Sequence, residues 1–166
     1  MGNRVGWARI KSLINENQNQ LKMLRPQVIA VSDTKTLKVS ESGALISWTL
    51  GSTHHITLPA ATVGLQYDFV IAKGADAAHT IISATDDKIH GSVFLMQAGS
   101  ADQCNAQVVD HGSGVDKVHL IANGTARGGA AGTTIRLVCA EKGKWCATIH
   151  ATTSGVPGGS VTMLAA

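Results

Sequence analysis

The chain has 166 residues and a formal net charge of +3, with 15% charged residues, 4% aromatic residues and 18 glycines. This length fits one domain with a buried core, and the modest net charge excludes a disordered chain. No run approaches the roughly 18 apolar residues of a membrane-spanning helix. Because Arg9 and Lys11 interrupt the first apolar run, we expect no secretory signal and a soluble protein made in a cytoplasm.

The first 30 residues carry most of the positive charge and the one helical pattern. Five Lys and Arg residues stand against Glu16 alone, which gives +4 and leaves −1 for the other 136 residues. From Trp7 onward, apolar positions follow a heptad spacing that Asn17 interrupts and Pro26 ends. The expected oligomer seam of this helix consists of Ile10, Ile14, Asn17, Leu21 and Leu24.

Such a helix is only marginally stable in isolation, so we expect it to pack against another surface, for which there are three alternatives. It could pack on its own β-domain, on copies of itself, or on a partner surface. The charge balance favours an acidic partner, with a solvated helix face as the alternative. Nucleic acid is the less favoured partner, because the sequence has no cluster of arginines and aromatic residues. The expected partner-binding residues are Arg4, Trp7, Arg9, Lys11, Lys22 and Arg25.

After this arm the hydrophobic pattern changes to period two, which is typical of strands. Tyr67, Phe69 and Ile71 alternate with polar or smaller residues, and Pro59 and Gly64 mark the turn that precedes them. We expect Trp48 and Trp145 in the core. The predicted strands are 28–31, 36–39, 44–50, 54–58, 67–72, 79–84, 88–96, 104–111, 116–122, 133–140 and 144–152.

Strands at this spacing, with no helical pattern between them, predict an all-β fold. We expect an antiparallel β-sandwich or barrel, jelly-roll-like, with a short N-terminal helical or extended arm. The expected organisation is an anchoring arm at 1–30, a β-sandwich domain at 31–154 and a C-terminal tail at 155–166. The apolar end of that tail is expected to dock, for example as a strand added to a neighbour.

Residues that could carry chemistry are scattered. The seven histidines lie about one to a strand, and neighbouring His54 and His55 should point to opposite faces, so we expect no metal site within one chain. Asp86, Asp87 and Asp110 are carboxylates that could serve a hydrolase, but Asp86 and Asp87 fit a turn better. Cys139 and Cys146 flank a predicted hairpin, where buried free thiols are favoured over a disulfide. We therefore expect no catalytic residues, no cofactor and no enzymatic activity.

Three segments in order carry a resemblance to a known family. They are ITLPAATVGLQYDFVIA at 56–72, HTIISATDDKIHG at 79–91 and TTIRLVCAEKGKWCATI at 133–149. This wording resembles a β-domain of virion proteins in tailed bacteriophages, which comprise capsid decoration or cement proteins, head fibres and tail fibres.

The resemblance implies a non-enzymatic, homotrimeric module on the virion surface. Because the chain is short and has no shaft repeats, a decoration or cement protein is favoured, bound to the major capsid protein on the outside of the shell and stabilising it. The alternative is a trimeric head- or tail-fibre module that binds a host receptor or glycan. Neither implies a membrane or a nucleic acid partner.

Overall fold

The computed structural model describes residues 6–23, 27–49, 54–73, 79–97, 104–109, 117–120, 130–153 and 162–164. These residues form one α-helix, a short 3-10 turn at Val39–Glu41 and twelve strands. The helix is α1 (Trp7–Met23), and the strands are β1 (Val28–Val31), β2 (Lys35–Thr36), β3 (Leu45–Trp48), β4 (His54–Thr57), β5 (Gln66–Ile71), β6 (His79–Ile82), β7 (Lys88–Gln97), β8 (Cys104–Val109), β9 (Lys117–Leu120), β10 (Thr134–Glu141), β11 (Lys144–Thr153) and β12 (Thr162–Leu164).

The strands form two mixed sheets. In the first sheet the order is β1-β3-β5-β10-β11-β7, and β8 adds an antiparallel strand beside β7. The second sheet has the parallel strands β6-β4-β2, extended beyond β6 by the antiparallel strands β9 and β12. Segment 162–164 thus pairs with a strand of its own chain.

The chain alternates between the two sheets from β1 to β7. Strands β1, β3 and β5 are parallel neighbours in the first sheet, while β2, β4 and β6 are parallel neighbours in the second. The hairpin β10–β11 then lies between β5 and β7. Strand β10 is antiparallel to β5, and strand β11 is parallel to β7. Parallel pairs are therefore as common as antiparallel ones among the described strands.

The predicted all-β antiparallel sandwich, barrel or jelly roll is therefore wrong. The protein combines a 17-residue helix with mixed sheets. Parallel neighbours need a crossover connection, for which a helical pattern was the expected sign. Here a strand of the opposite sheet makes each early crossover, and its alternating pattern resembles that of a hairpin strand. Short spacing between strands was consequently misread as antiparallel pairing.

One apolar core lies between the sheets. Tyr67, Phe69 and Ile71 are buried, which confirms the predicted inward row of β5, and Trp48 and Trp145 are fully buried as expected. The Trp145 ring lies 5.8 Å from the Tyr67 ring, measured between centroids. The Tyr67 hydroxyl donates to the Lys38 carbonyl at 2.9 Å, which gives its polar end a partner.

The two sheets meet through a buried histidine. The His79 ring on β6 stacks on the Trp48 ring on β3 at 4.5 Å between centroids and 17° between planes. Neither ring nitrogen of His79 has a hydrogen-bond partner in the part of the chain that the structure describes. Burial, together with the neighbouring His54, lowers the pKa of His79 to about 4.

We predict that His79 makes the fold acid-sensitive. Unfolded histidine titrates near its ordinary pKa of 6.5, so the unfolded chain takes up this proton before the folded chain does. The free energy of unfolding should fall by up to about 3 kcal/mol as the pH drops from 7 to 4. His79→Phe keeps a stacked ring without a titrating group, and urea unfolding across this range should show a smaller loss. The exposed His55→Phe is the control, and an equal loss in both variants would contradict the assignment.

Gly91 on β7 is required by a close backbone approach. It has a φ of +150°, and a Cβ atom there would lie 1.8 Å from the carbonyl oxygen of Ala147, its partner on β11. No real side chain tolerates that distance, so β7 and β11 would have to separate.

We therefore predict that Gly91→Ala lowers the free energy of unfolding by about 2–5 kcal/mol, because overpacking of about 1–3 kcal/mol adds to a conformational penalty of about 1–2 kcal/mol. The matched control is Gly43→Ala, because Gly43 has a φ of +83° but a Cβ added there would have no neighbour within 4 Å. That control should show only the conformational penalty of about 1–2 kcal/mol. Equal losses in urea unfolding would show that the approach to Ala147 is not limiting.

Candidate functional site: an exposed amphipathic helix

Helix α1 is a local product of its sequence. Residues 7–23 contain neither glycine nor proline. The helix begins at Trp7, and the carbonyl of the preceding Gly6 accepts the backbone N–H groups of Arg9 at 2.9 Å and Ile10 at 3.3 Å. The first turn contains no acidic residue, and it contains Arg9. The positive end of the helix dipole is therefore next to a cation and has no carboxylate to balance it.

The apolar face of this helix is uncovered. The exposed fraction is 75% for Trp7, 37% for Ile10, 50% for Leu13 and 48% for Ile14. Every residue from 6 to 17 is exposed, Asn17 included. Packing of the helix on its own β-domain, one of the three expected alternatives, is therefore not seen for these residues. An apolar patch of this kind on a small domain marks an interaction surface.

The basic residues lie outside the apolar seam. With Trp7 and Ile14 at a positions and Ile10 and Asn17 at d positions, Lys11 falls at e, and Arg9 falls at c. Arg9 and Lys11 are both exposed. The same helix can therefore bury its seam while its cations stay at the surface.

The other predicted residues of the arm are only partly described. Leu21 and Lys22 lie on the last turns of α1, where the structure describes the backbone alone. Arg4, Leu24 and Arg25 lie outside the described residues. The structure thus brings together Trp7, Ile10 and Ile14 on one exposed face and places Arg9, Lys11 and Asn17 as exposed residues of the same helix. Leu13 is also apolar and exposed and was not in the predicted seam, although its spacing of three residues from Ile10 puts it beside that seam on a helix.

The acidic residues considered for hydrolysis serve the fold where they are described. Asp86 has a φ of +70° in the turn between β6 and β7, which confirms the predicted turn. The Asp87 carboxylate accepts the backbone N–H of Ala61 at 2.6 Å, and its carbonyl accepts the Ser83 hydroxyl at 2.8 Å. Asp110, also considered, lies outside the described residues.

Histidines and cysteines do not cluster in the described part of the chain, where no three His, Cys, Asp or Glu side chains could share a metal ion. Cys139 and Cys146 are free thiols, one buried and one exposed, on opposite faces of the β10–β11 hairpin. A bond between them is thereby excluded, but only Cys139 matches the expectation of a buried thiol. Burial raises the pKa of the Cys139 thiol, which donates to the Glu141 carbonyl at 3.2 Å.

Comparisons of this chain with protein-family models, with curated protein sequences and with solved structures found no match. No helix in the described residues is long and apolar enough to cross a membrane. The resemblance to phage virion proteins therefore stays a prediction from the three sequence segments.

We predict that copies of the chain associate through the seam of α1, as a homotrimer. Ile10→Asp combined with Ile14→Asp should convert the trimer to a monomer, because two charges would enter the buried seam. Sedimentation velocity measures the mass directly. Ser12→Asp, on the opposite face of the same helix, is the matched control and should leave the trimer intact. A monomeric unmodified chain, or a trimeric double variant, would contradict the prediction.

Proposed function

We propose that this protein is a structural attachment protein of a tailed phage, a decoration or cement protein that binds the outside of the capsid and stabilises the shell. The observation that carries the proposal is the exposure of residues 6–17 of α1, which leaves the apolar seam open to other copies of the chain and the cations open to an acidic surface. A 17-residue helix with Trp7, Leu13 and Ile14 in solvent is marginal by itself. It gains its stability when a neighbouring surface covers it.

The charge of the arm favours an acidic surface as that neighbour. Arg9 and Lys11 are exposed near the positive end of the helix dipole, and only Glu16 opposes them among the described helix residues whose side chains are placed. The major capsid protein is the proposed partner, in keeping with the resemblance of segments 56–72, 79–91 and 133–149 to virion proteins. A protein that binds only the assembled shell stabilises it by mass action.

This proposal assigns no catalytic step and no cofactor to the protein. The seam of the helix would hold the copies together, and the cations at its surface would contact the capsid. Location on the virion then follows from binding after synthesis in the host cytoplasm, without a membrane or nucleic acid as partner.

We predict that the cations of α1 are needed for capsid binding. Arg9→Glu combined with Lys11→Glu should weaken binding to capsids made without this protein by about tenfold or more, equivalent to about 1.4 kcal/mol. Co-sedimentation of purified protein with these capsids measures the loss. Binding of the unmodified chain should also weaken as salt is raised, because these charges are exposed.

Lys73→Glu combined with Lys142→Glu makes the same charge change on exposed residues of the β-domain and is the matched control. It should bind nearly as well as the unmodified chain. Equal losses in the two double variants would show that net charge, and not the arm, governs binding. An unmodified chain that does not bind capsids at all would overturn the proposed function.

A further inference from the structure

A shallow groove of about 510 Å³ lies on the outer face of the first sheet. Its polar lining comes from the central strands: Asp68 on β5, Thr134 and Arg136 on β10, and Thr148 and His150 on β11. The register places these residues in two rows across β5, β10 and β11. Ser92 and Phe94 on β7 continue the rows beside the groove, and the four strands span about 14 Å at the usual strand spacing. One row is Asp68, Arg136, Thr148 and Ser92, and the other is Val70, Thr134, His150 and Phe94.

The groove offers side chains and no free backbone. Strands β5, β10, β11 and β7 each pair with a neighbour on both sides, so their ladder hydrogen bonds are made within the sheet. A peptide that binds by strand addition needs an open sheet edge. The occupant of this groove must therefore be recognised by side chains alone.

The first row places an acceptor beside a donor. The Asp68 carboxylate lies 3.9 Å from Nε of Arg136, at the outer limit of an ion pair, and their side chains are 40% and 60% exposed. The Gln66 amide donates to the other Asp68 oxygen at 3.3 Å. A carboxylate accepts only and a guanidinium donates only. Side by side, they match hydroxyl groups, each of which both donates and accepts.

The second row provides an apolar surface beside these polar groups. The Phe94 and His150 rings meet edge to face, at 5.5 Å between centroids and 66° between planes, and Phe94 is 40% exposed. The negative face of an aromatic ring attracts weakly positive C–H groups. This exposed ring lies two strands from Arg136, so the face suits an oligosaccharide, whose successive rings have hydroxyl groups at their edges and C–H groups on their faces.

We propose that this groove is a binding site for a neutral carbohydrate. The charges of Asp68 and Arg136 cancel, so the groove gives no advantage to an acidic sugar, and Asp68 would repel its carboxylate. Vicinal hydroxyls of one sugar bind to the Asp68–Arg136 pair, while another sugar of the same oligosaccharide lies on Phe94 and His150. The site goes beyond the proposed function, because it uses the sheet face and not the arm.

The test is an NMR titration of the full, 15N-labelled chain. The probes are neutral hexasaccharides of glucose, mannose, galactose and N-acetylglucosamine, with a hexamer of galacturonic acid as the acidic arm. We expect at least one neutral hexasaccharide to produce saturable shifts centred on residues 68, 136, 148 and 150. Arg136→Gln and Phe94→Ala should each weaken that binding at least tenfold, and the dispersion of each spectrum shows whether the variant is folded.

Lys142→Gln, which removes a charge outside the groove, is the matched control and should bind unchanged. The proposal is overturned if no neutral hexasaccharide gives saturable shifts, if the shifts centre elsewhere, or if only the acidic hexamer binds. The proposal would also be overturned if Arg136→Gln and Phe94→Ala bound the hexasaccharide as tightly as the unmodified chain does. Capsid binding, measured separately, does not depend on this outcome.

Discussion

The packing of two sheets across one apolar core is the interaction on which the rest of the structure depends. Trp48 of the first sheet lies on His79 of the second, and both are fully buried. Because the chain crosses from one sheet to the other between β1 and β7, each early parallel pair in one sheet requires a strand in the other. Strand pairing and core packing must therefore form together, and neither sheet is a stable unit in isolation.

Helix α1 does not contribute its exposed apolar side chains to this core. Trp48 and Trp145 are fully buried, whereas Trp7 is 75% exposed. Each Å² of apolar surface removed from water stabilises by roughly 25 cal/mol, so the buried strand tryptophans stabilise the fold. Trp7 gives a comparable stabilisation only when another molecule covers it. The helix therefore contributes little to the stability of the single chain, and its apolar face is available for association.

The sequence predicted local structure well and pairing poorly. Alternation in β5 correctly placed Tyr67, Phe69 and Ile71 in the core. Heptad spacing marked the arm as the one helical candidate, although the arm was expected to be either helical or extended, and the structure shows the helix. The partner of each strand could not be read, since period two is the same in parallel and antiparallel pairs. Gly91 gave no signal because its constraint comes from Ala147, which is distant in the chain. The groove could not be predicted for a similar reason, since only the strand register shows that Asp68, Arg136 and His150 lie on neighbouring strands.

The two proposed surfaces suit different tasks because they differ in rigidity. Asp68, Arg136 and His150 project from strands that are paired on both sides, so their backbone positions are fixed before any ligand arrives. Little ordering free energy is then lost on binding, which favours selective recognition by a few side chains. The exposed helix is marginal until it is covered, and elements of low local stability adapt to the surface that they meet. Adhesion through such an element tolerates an uneven surface, and it leaves the rigid sheet face free to select a ligand.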